Sequence, residues 1–373
     1  MSTIDKYRGC LIGGAAGDAL GYAVEFSRED QIAARYGAGG IRDYQLDDRG
    51  LAPFSDDTQM TLYTANGLLH AVTRGRLRGV LGPLRDYVSG FYVEWSRTQT
   101  EPYPLADHSA WISALPELFV PRAPGATCLS ACAAGAHGTP EEPINDSKGC
   151  GGIMRVAPAG LLAGPRGADG AAVQRLGAQL AALTHGHELG WLPAGVFAHI
   201  VSALAHGEAD SVRGAAEQAL AILPEAHPGA RRVGELQELM RLVLRLADST
   251  APDVEAIHQL GEGWVAEEAL AIALLCALRH EDDFEGTVVS AVNHSGDSDS
   301  TGAIAGNIVG ARLGLAGIPR RYTERLELAD VVLALADDLF TGCPITEYCP
   351  SPDGVWEHKY LPPMDYVEWK RGR

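Results

Sequence analysis

Glycine stands at every fourth position in two stretches of this 373-residue chain: Gly9, Gly13, Gly17 and Gly21, then Gly302, Gly306, Gly310 and Gly314. A four-residue repeat lies along one side of an α-helix, and each interior glycine costs that helix roughly 1 kcal/mol relative to alanine. Four in a row need a compensating contact, and the one that missing side chains permit is close approach of another backbone. The stripes therefore predict two central helices packed on each other. Chemistry would lie at their ends.

Ala-rich stretches with apolar residues three and four apart predict further helices over 58–72, 171–183, 194–205, 233–246 and 266–278. Alternating strand patterns are scarce, so the expected fold class is all-α, a compact multi-helix orthogonal bundle. Gly/Pro clusters mark loops at 35–50, 101–109, 121–126 and 138–152. A 46% hydrophobic content supports a large core, and one domain is expected over residues 1–340. Residues 341–373, rich in proline, are expected to form an irregular extension packed on that domain.

The formal charge is −18 with no long Lys/Arg run, which argues against non-specific nucleic-acid binding. Helix N-termini or bound cations could still hold a small anion. Met1 to Arg8 are polar, and the apolar stretch 9–24 is interrupted by Asp18, so neither an export signal nor a membrane span is expected there. Seven cysteines read as reduced thiols and point to a cytoplasmic location. The spacing of Cys128, Cys132 and His137 matches no standard zinc template, which leaves them as plain thiols and a plain histidine.

Two acidic clusters precede helical patterns. Ser55-Asp56-Asp57-Thr58 opens one helix, and Ser295-Gly296-Asp297-Ser298-Asp299-Ser300-Thr301 opens the second glycine-striped helix. Taken alone, each is an N-cap with an acidic first turn. Together, and with Glu25 just beyond the first striped helix, they suggest a pocket for two hard divalent cations, Mg²⁺ or Mn²⁺. Their ligands are oxygen only, and the spacing of an EF-hand is missing.

Gly17-Asp18-Ala19-Leu20-Gly21 with Glu25, the Ser55–Thr58 cluster and the Gly296–Gly302 cluster, in that order, resemble the ADP-ribosylglycohydrolase family over roughly residues 5–340. The resemblance implies an all-α domain around a binuclear metal centre, monomeric by default, that hydrolyses the bond between ADP-ribose and an acceptor, arginine first. Ser55, Asp56, Asp57, Asp297, Asp299 and Ser300 would be the metal ligands. Asp56, Asp57 and Asp299 with Glu25 would be the catalytic set, Glu25 as gate or acid/base helper.

The segment Lys148-Gly149-Cys150-Gly151-Gly152-Ile153-Met154-Arg155 resembles the family's Gly-rich turn, which cradles the diphosphate and ribose. Gly149, Gly151, Gly152, Ile153 and Met154 are carried over as substrate-binding, with His185 of Thr184-His185-Gly186-His187 on the adenosine side. Arg155 is read as either an ion-pair partner or a ligand, and His294 as packed. One departure stands out: some arginine-specific members carry an Asp before a Gly-x-Thr step, where this chain reads Arg122-Ala123-Pro124-Gly125-Ala126-Thr127-Cys128 without a carboxylate. That counts against arginine and leaves serine, O-acetyl-ADP-ribose or a nucleobase as alternative acceptors. A non-catalytic ADP-ribose binder and a two-metal phosphohydrolase are the rival readings.

Overall fold

The structure, a computed structural model, describes residues 2–162, 169–345 and 354–361. In chain order the described residues form α1 (Thr3–Tyr22), α2 (Glu29–Tyr36), α3 (Asp56–Arg78), α4 (Leu84–Thr98), α5 (Ala126–Ala133), α6 (Ala157–Leu162), α7 (Gly170–Ala182) and α8 (Glu188–His206). There follow α9 (Val212–Ala226), α10 (Val233–Ala247), α11 (Asp253–Ile257), α12 (Ala266–Arg279), α13 (Phe284–Val292), α14 (Ser298–Leu313), α15 (Ala329–Thr341) and α16 (Gly354–Tyr360). Among the described residues the only β pairing is two isolated bridges, Ala52 with Leu326 and Gly149 with Val265. The all-α class holds, and the five helices expected from periodicity form as α3, α7, α8, α10 and α12.

The two glycine stripes are one seam. A Cβ placed on Gly13 would stand 2.3 Å from the carbonyl oxygen of Gly306, and one on Gly17 would stand 1.9 Å from that of Gly302. Gly9 meets Gly310 and Gly314, and Gly21 meets Ser298, so α1 and α14 run antiparallel with their backbones in contact. Both helices are buried without a break, from Gly9 to Gly21 and from Ser298 to Ala311. A helix buried all round belongs to the core, and the glycines explain why no other side chain separates these two. The seam also has a functional consequence. It sets the C-terminal end of α1, and hence Glu25, beside the acidic turn that opens α14.

The apolar helix α8 has the length of a membrane span, but nearly all of it is buried inside the protein, so it serves as a core helix. In the C-terminal extension the structure departs from expectation, since residues 354–360 form α16 rather than irregular chain. Trp356 and Tyr360, four residues apart, give it one buried stripe against α3. Trp356 Nε1 donates to Thr73 Oγ1 (3.0 Å), and His70 Nδ1 donates to the Tyr360 carbonyl (2.7 Å). Residues 346–353 and 362–373 of the extension lie outside the described residues.

Candidate active site

The head of α3 is built by α1. Ser55 caps the helix, its Oγ accepting from the Asp57 N–H (3.2 Å). Its own N–H donates to Asp18 Oδ1 (2.8 Å), while the Thr58 N–H donates to Asp18 Oδ2 (2.9 Å) and the Thr58 hydroxyl to the same oxygen. One buried carboxylate of α1 thus satisfies three donors at the first turn of α3. On the outer side, Arg122 donates to the Phe54 carbonyl (2.9 Å) and is paired with buried Glu327, which also takes Arg49. The segment entering α3 is held from both sides.

The second acidic turn is fixed as tightly. The Asp297 N–H donates to the Glu262 carbonyl (2.8 Å), and a Cβ on Gly296 would collide with that carbonyl at 2.0 Å. Asp297 caps α14 by accepting from the Ser300 N–H (3.3 Å). The turns meet where the Ser300 hydroxyl donates to Asp57 Oδ2 (2.9 Å), across 243 positions of sequence. The thiol of Cys150 donates to Asp297 Oδ2 from a third side.

A cavity of about 290 Å³ lies over this junction. Glu25, Asp56, Asp57, Asp297, Asp299 and Ser300 line one part of it, and Gly149, Cys150, Gly151, Met154 and His185 another. Ser55 is buried beneath as a cap and does not line it. A larger cavity of about 390 Å³, between α7 and α8 near Trp191 and His227, brings none of the sequence-predicted residues together.

The electrostatics are those of crowded, buried acids. Asp18, Glu25, Asp56, Asp57, Asp297 and Asp299 are all 7% exposed or less. Burial first, then the charge of Asp299, pushes the carboxyls of Asp56, Asp57 and Asp297 well above the usual range. The same causes in the same order raise Asp18 to about 7 and Glu25 to about 10. Glu25 Oε2 is buried with no hydrogen-bond partner. The nearby cations are committed elsewhere, Lys148 to Glu267 and Arg122 to Glu327. Carboxylates gathered this way cannot all ionise without added positive charge. Two hard divalent cations with oxygen ligands fit that deficit. As they stand, among the described residues, no three Asp, Glu, His or Cys side chains close on a single ion position.

The Gly-rich segment forms a short 3₁₀ turn over Cys150–Gly152. The N–H groups of Ile153 and Met154 donate to the Cys150 carbonyl (2.9 and 3.2 Å), and the Cys150 N–H donates to the Trp264 carbonyl (3.2 Å). Those donors are therefore not open to an anion. Ile153 is fully buried, and Gly152 lies against Ala181, the Gly190 carbonyl and the His185 ring; neither lines the cavity. Gly149 and Gly151 do, and a Cβ on Gly151 would crowd Cys128 Sγ at 2.6 Å and His185 Cε1 at 3.2 Å. Burial, and then the charge of Arg155, lowers His185 to about 3, so its ring is neutral. Arg155 is fully buried in neither expected role. It donates to Thr184 Oγ1 (2.6 Å) and lies 4.1 Å from the centre of the Tyr92 ring, a cation–π contact. His187 caps α8, accepting from the Leu189 N–H (3.1 Å), and His294 is packed against Thr301 Oγ1 (3.0 Å).

The sequence model of ADP-ribosylglycohydrolases matches residues 1–347. The chain belongs to the ADP-ribosylglycohydrolase family. It is 26% identical over 369 residues to ADP-ribosylhydrolase ARH3 of Danio rerio, covering 90% of this chain and 89% of that one. It is 25% identical over 355 residues to the ADP-ribosyl-[dinitrogen reductase] glycohydrolase of Rhodospirillum rubrum, covering 90% and 98%. A solved ADP-ribosylglycohydrolase-related protein complex shares its fold with a TM-score of 0.59 at 26% identity, over 91% of this chain and 98% of that chain.

Within this family member, sequence reasoning assigned no role to Asp18, Cys150, Phe26 or Trp264, all four of which touch the site. For Asp18 a signal existed, since it is the one acidic residue in the run Gly9–Gly21, inside a stripe that has to be buried. Cys150 was visible within the Gly-rich segment. The two aromatics carry no spacing that marks them.

Proposed function

We propose that this ADP-ribosylglycohydrolase-family hydrolase frees ADP-ribose from a modified protein side chain, arginine first, with two divalent cations, Mg²⁺ or Mn²⁺. The observation that carries the reading is the Ser300–Asp57 contact (2.9 Å), which turns two separate acidic helix caps into one lined cavity. That the Rhodospirillum rubrum relative is named for acting on dinitrogen reductase supports a protein as acceptor.

Asp56 and Asp57 from one turn, and Asp297, Asp299 and Ser300 from the other, would hold the ions, while Ser55, whose hydroxyl caps α3 beneath the cavity, holds the first turn in place. Bound there, the ions would supply the positive charge that orients the ribose hydroxyls and polarises a water. The chain's own residues account for the rest. Gly149, Gly151 and the Met154 side chain, with neutral His185 behind them, form the wall that takes the ADP moiety without a charged side chain. The attacking water forms its bond to C1″ as the bond from C1″ to the acceptor nitrogen breaks, and positive charge builds on the ribose ring. Buried carboxylates stabilise that charge. Glu25, with an oxygen free of hydrogen bonds, would be ionised once positive charge fills the site, and then takes the proton from the water and returns it to the leaving nitrogen.

The test is a panel of arginine-, serine-, acetyl- and nucleobase-linked ADP-ribose incubated with the protein and Mg²⁺ or Mn²⁺, read by product mass. Intact ADP-ribose supports the proposal. Release of AMP makes the protein a phosphohydrolase, and binding without turnover makes it a binder. Asp56→Asn and Asp299→Asn should each lower turnover by more than about 100-fold, beyond what loss of a residue supporting a ligand typically does. Their far-ultraviolet circular dichroism should not change.

A further inference from the structure

Two large aromatic side chains stand exposed at the rim of the acidic cavity, Phe26 at 75% and Trp264 at 40%. Of the exposed large hydrophobics among the described residues, only these two line that cavity. Their rings are stacked, with centroids 6.1 Å apart and planes 15° from parallel. An apolar pair left in water needs a reason, and a shared recognition face supplies one.

The backbone behind the pair is fixed. The Trp264 carbonyl accepts from the Cys150 N–H (3.2 Å), and the Ala266 N–H donates to the Lys148 carbonyl (2.8 Å). The Glu262 and Gly263 N–H groups both donate to Glu268 (3.0 and 3.2 Å), and a Cβ on Gly263 would touch that of Asp297 at 3.4 Å. Phe26 follows Glu25 in a turn closed by the Ser27 N–H on the Val24 carbonyl (2.8 Å). Rigid chain and exposed rings together make a preformed surface rather than a loose flap. It borders Glu25 and Asp297. His185 and Met154, by contrast, are 1% and 2% exposed and mark the deeper wall.

Resting on the function proposed above, we propose that Phe26 and Trp264 form the acceptor subsite and that the group they recognise is the guanidinium of arginine. A protein acceptor cannot enter a closed cavity, so the group bonded to C1″ has to leave through the exposed rim where this pair stands. A guanidinium is planar, permanently charged and weakly hydrated, and stacks on aromatic faces better than any other side-chain cation. The Glu25 carboxylate bordering the pair suits a positive acceptor, and among the described residues no lysine or arginine lines the cavity to repel it. Recognition by this pair leaves arginine open despite the missing carboxylate in 122–128, because Phe26 and Trp264 come from other segments of the chain.

The experiment compares wild type, Phe26→Ala, Trp264→Ala and Trp264→Phe. It measures turnover of arginine-linked and serine-linked ADP-ribosyl peptides, and binding of free ADP-ribose by calorimetry. Trp264→Ala should lower kcat/KM on the arginine conjugate by roughly 5- to 30-fold, the value of one partly desolvated cation–π contact. Trp264→Phe should restore most of it, and affinity for ADP-ribose should stay within about twofold, since that ligand has no acceptor. Phe26→Ala removes a ring that is mostly in water, so it carries the test even if Trp264→Ala fails to fold. Arginine turnover that survives both alanine variants overturns this inference alone. So does a parallel loss of ADP-ribose affinity, or an equal loss on the serine conjugate. A wild type that releases ADP-ribose only from serine or nucleobase conjugates overturns the guanidinium assignment, and one that releases none from any conjugate overturns the proposed function itself.

Discussion

Replacing Gly306 by alanine tests the seam on which the site depends. The new Cβ would lie 2.0 Å from the Gly13 carbonyl oxygen and 2.6 Å from its carbon, short of an ordinary contact by roughly 1.5 Å. Both obstacles are backbone inside a buried helix, so relief requires α1 and α14 to part along their length. Overpacking of a core costs about 1–3 kcal/mol, and alanine returns about 1 kcal/mol of helix propensity. With backbone against backbone the upper end applies, giving a net loss near 2 kcal/mol. An unfolding entropy of about 2.1 cal/mol/K per residue gives a chain of 373 residues roughly 0.8 kcal/mol/K, so Tm should fall by about 2.5 °C. Gly90→Ala is the matched control. Gly90 lies inside α4, exposed, with nothing within 4 Å of a new Cβ, and that change should raise Tm by about 1 °C. Scanning calorimetry of the two variants beside wild type decides. If Gly306→Ala is as stable as wild type, or gains stability like Gly90→Ala, the close approach is wrong, and so is the account of how Glu25 reaches the acidic turn.

Asp18→Asn replaces an acceptor of the three-donor cluster at the head of α3 by an amide and should weaken Mn²⁺ binding about 10- to 100-fold. Calorimetric titration checks this, and unchanged affinity would show that Asp18 does not position the ligands. In metal-free protein, Asp18 near 7 and Glu25 near 10 keep protons that the unfolded chain releases near 4. The folded state therefore binds more protons, and its stability declines as pH rises through this window. With chelator present, Tm should fall from pH 5 to pH 8, and Mn²⁺ should raise Tm more at pH 8, where fewer protons have to be displaced. A flat profile in chelator refutes the assignment. Glu327→Ala leaves Arg122 buried and unpaired, which should cost about 3–5 kcal/mol in a denaturant melt. A loss below about 1 kcal/mol would mean the pair is dispensable to the segment entering α3.

Sequence alone determined seven of the described helices, α1, α3, α7, α8, α10, α12 and α14, and the seam. A period of four glycines and periods of three to four apolar residues are local properties of a helix surface, so they survive in the linear order of residues. It also marked Asp56, Asp57, Asp297, Asp299 and Ser300, because acids and hydroxyls gathered at a helix start are a local pattern too. Tertiary structure alone decided what those residues do to each other. Asp18 clamps the head of α3 from another helix, Ile153 turns away while Gly151 faces in, and Arg155 settles on Tyr92 instead of an acid. Phe26 and Trp264 become one surface only when α1 and the loop before α12 arrive at the same rim. Burial, hydrogen-bond closure and contact across hundreds of residues depend on where elements dock, and no short-range pattern in the chain encodes that docking.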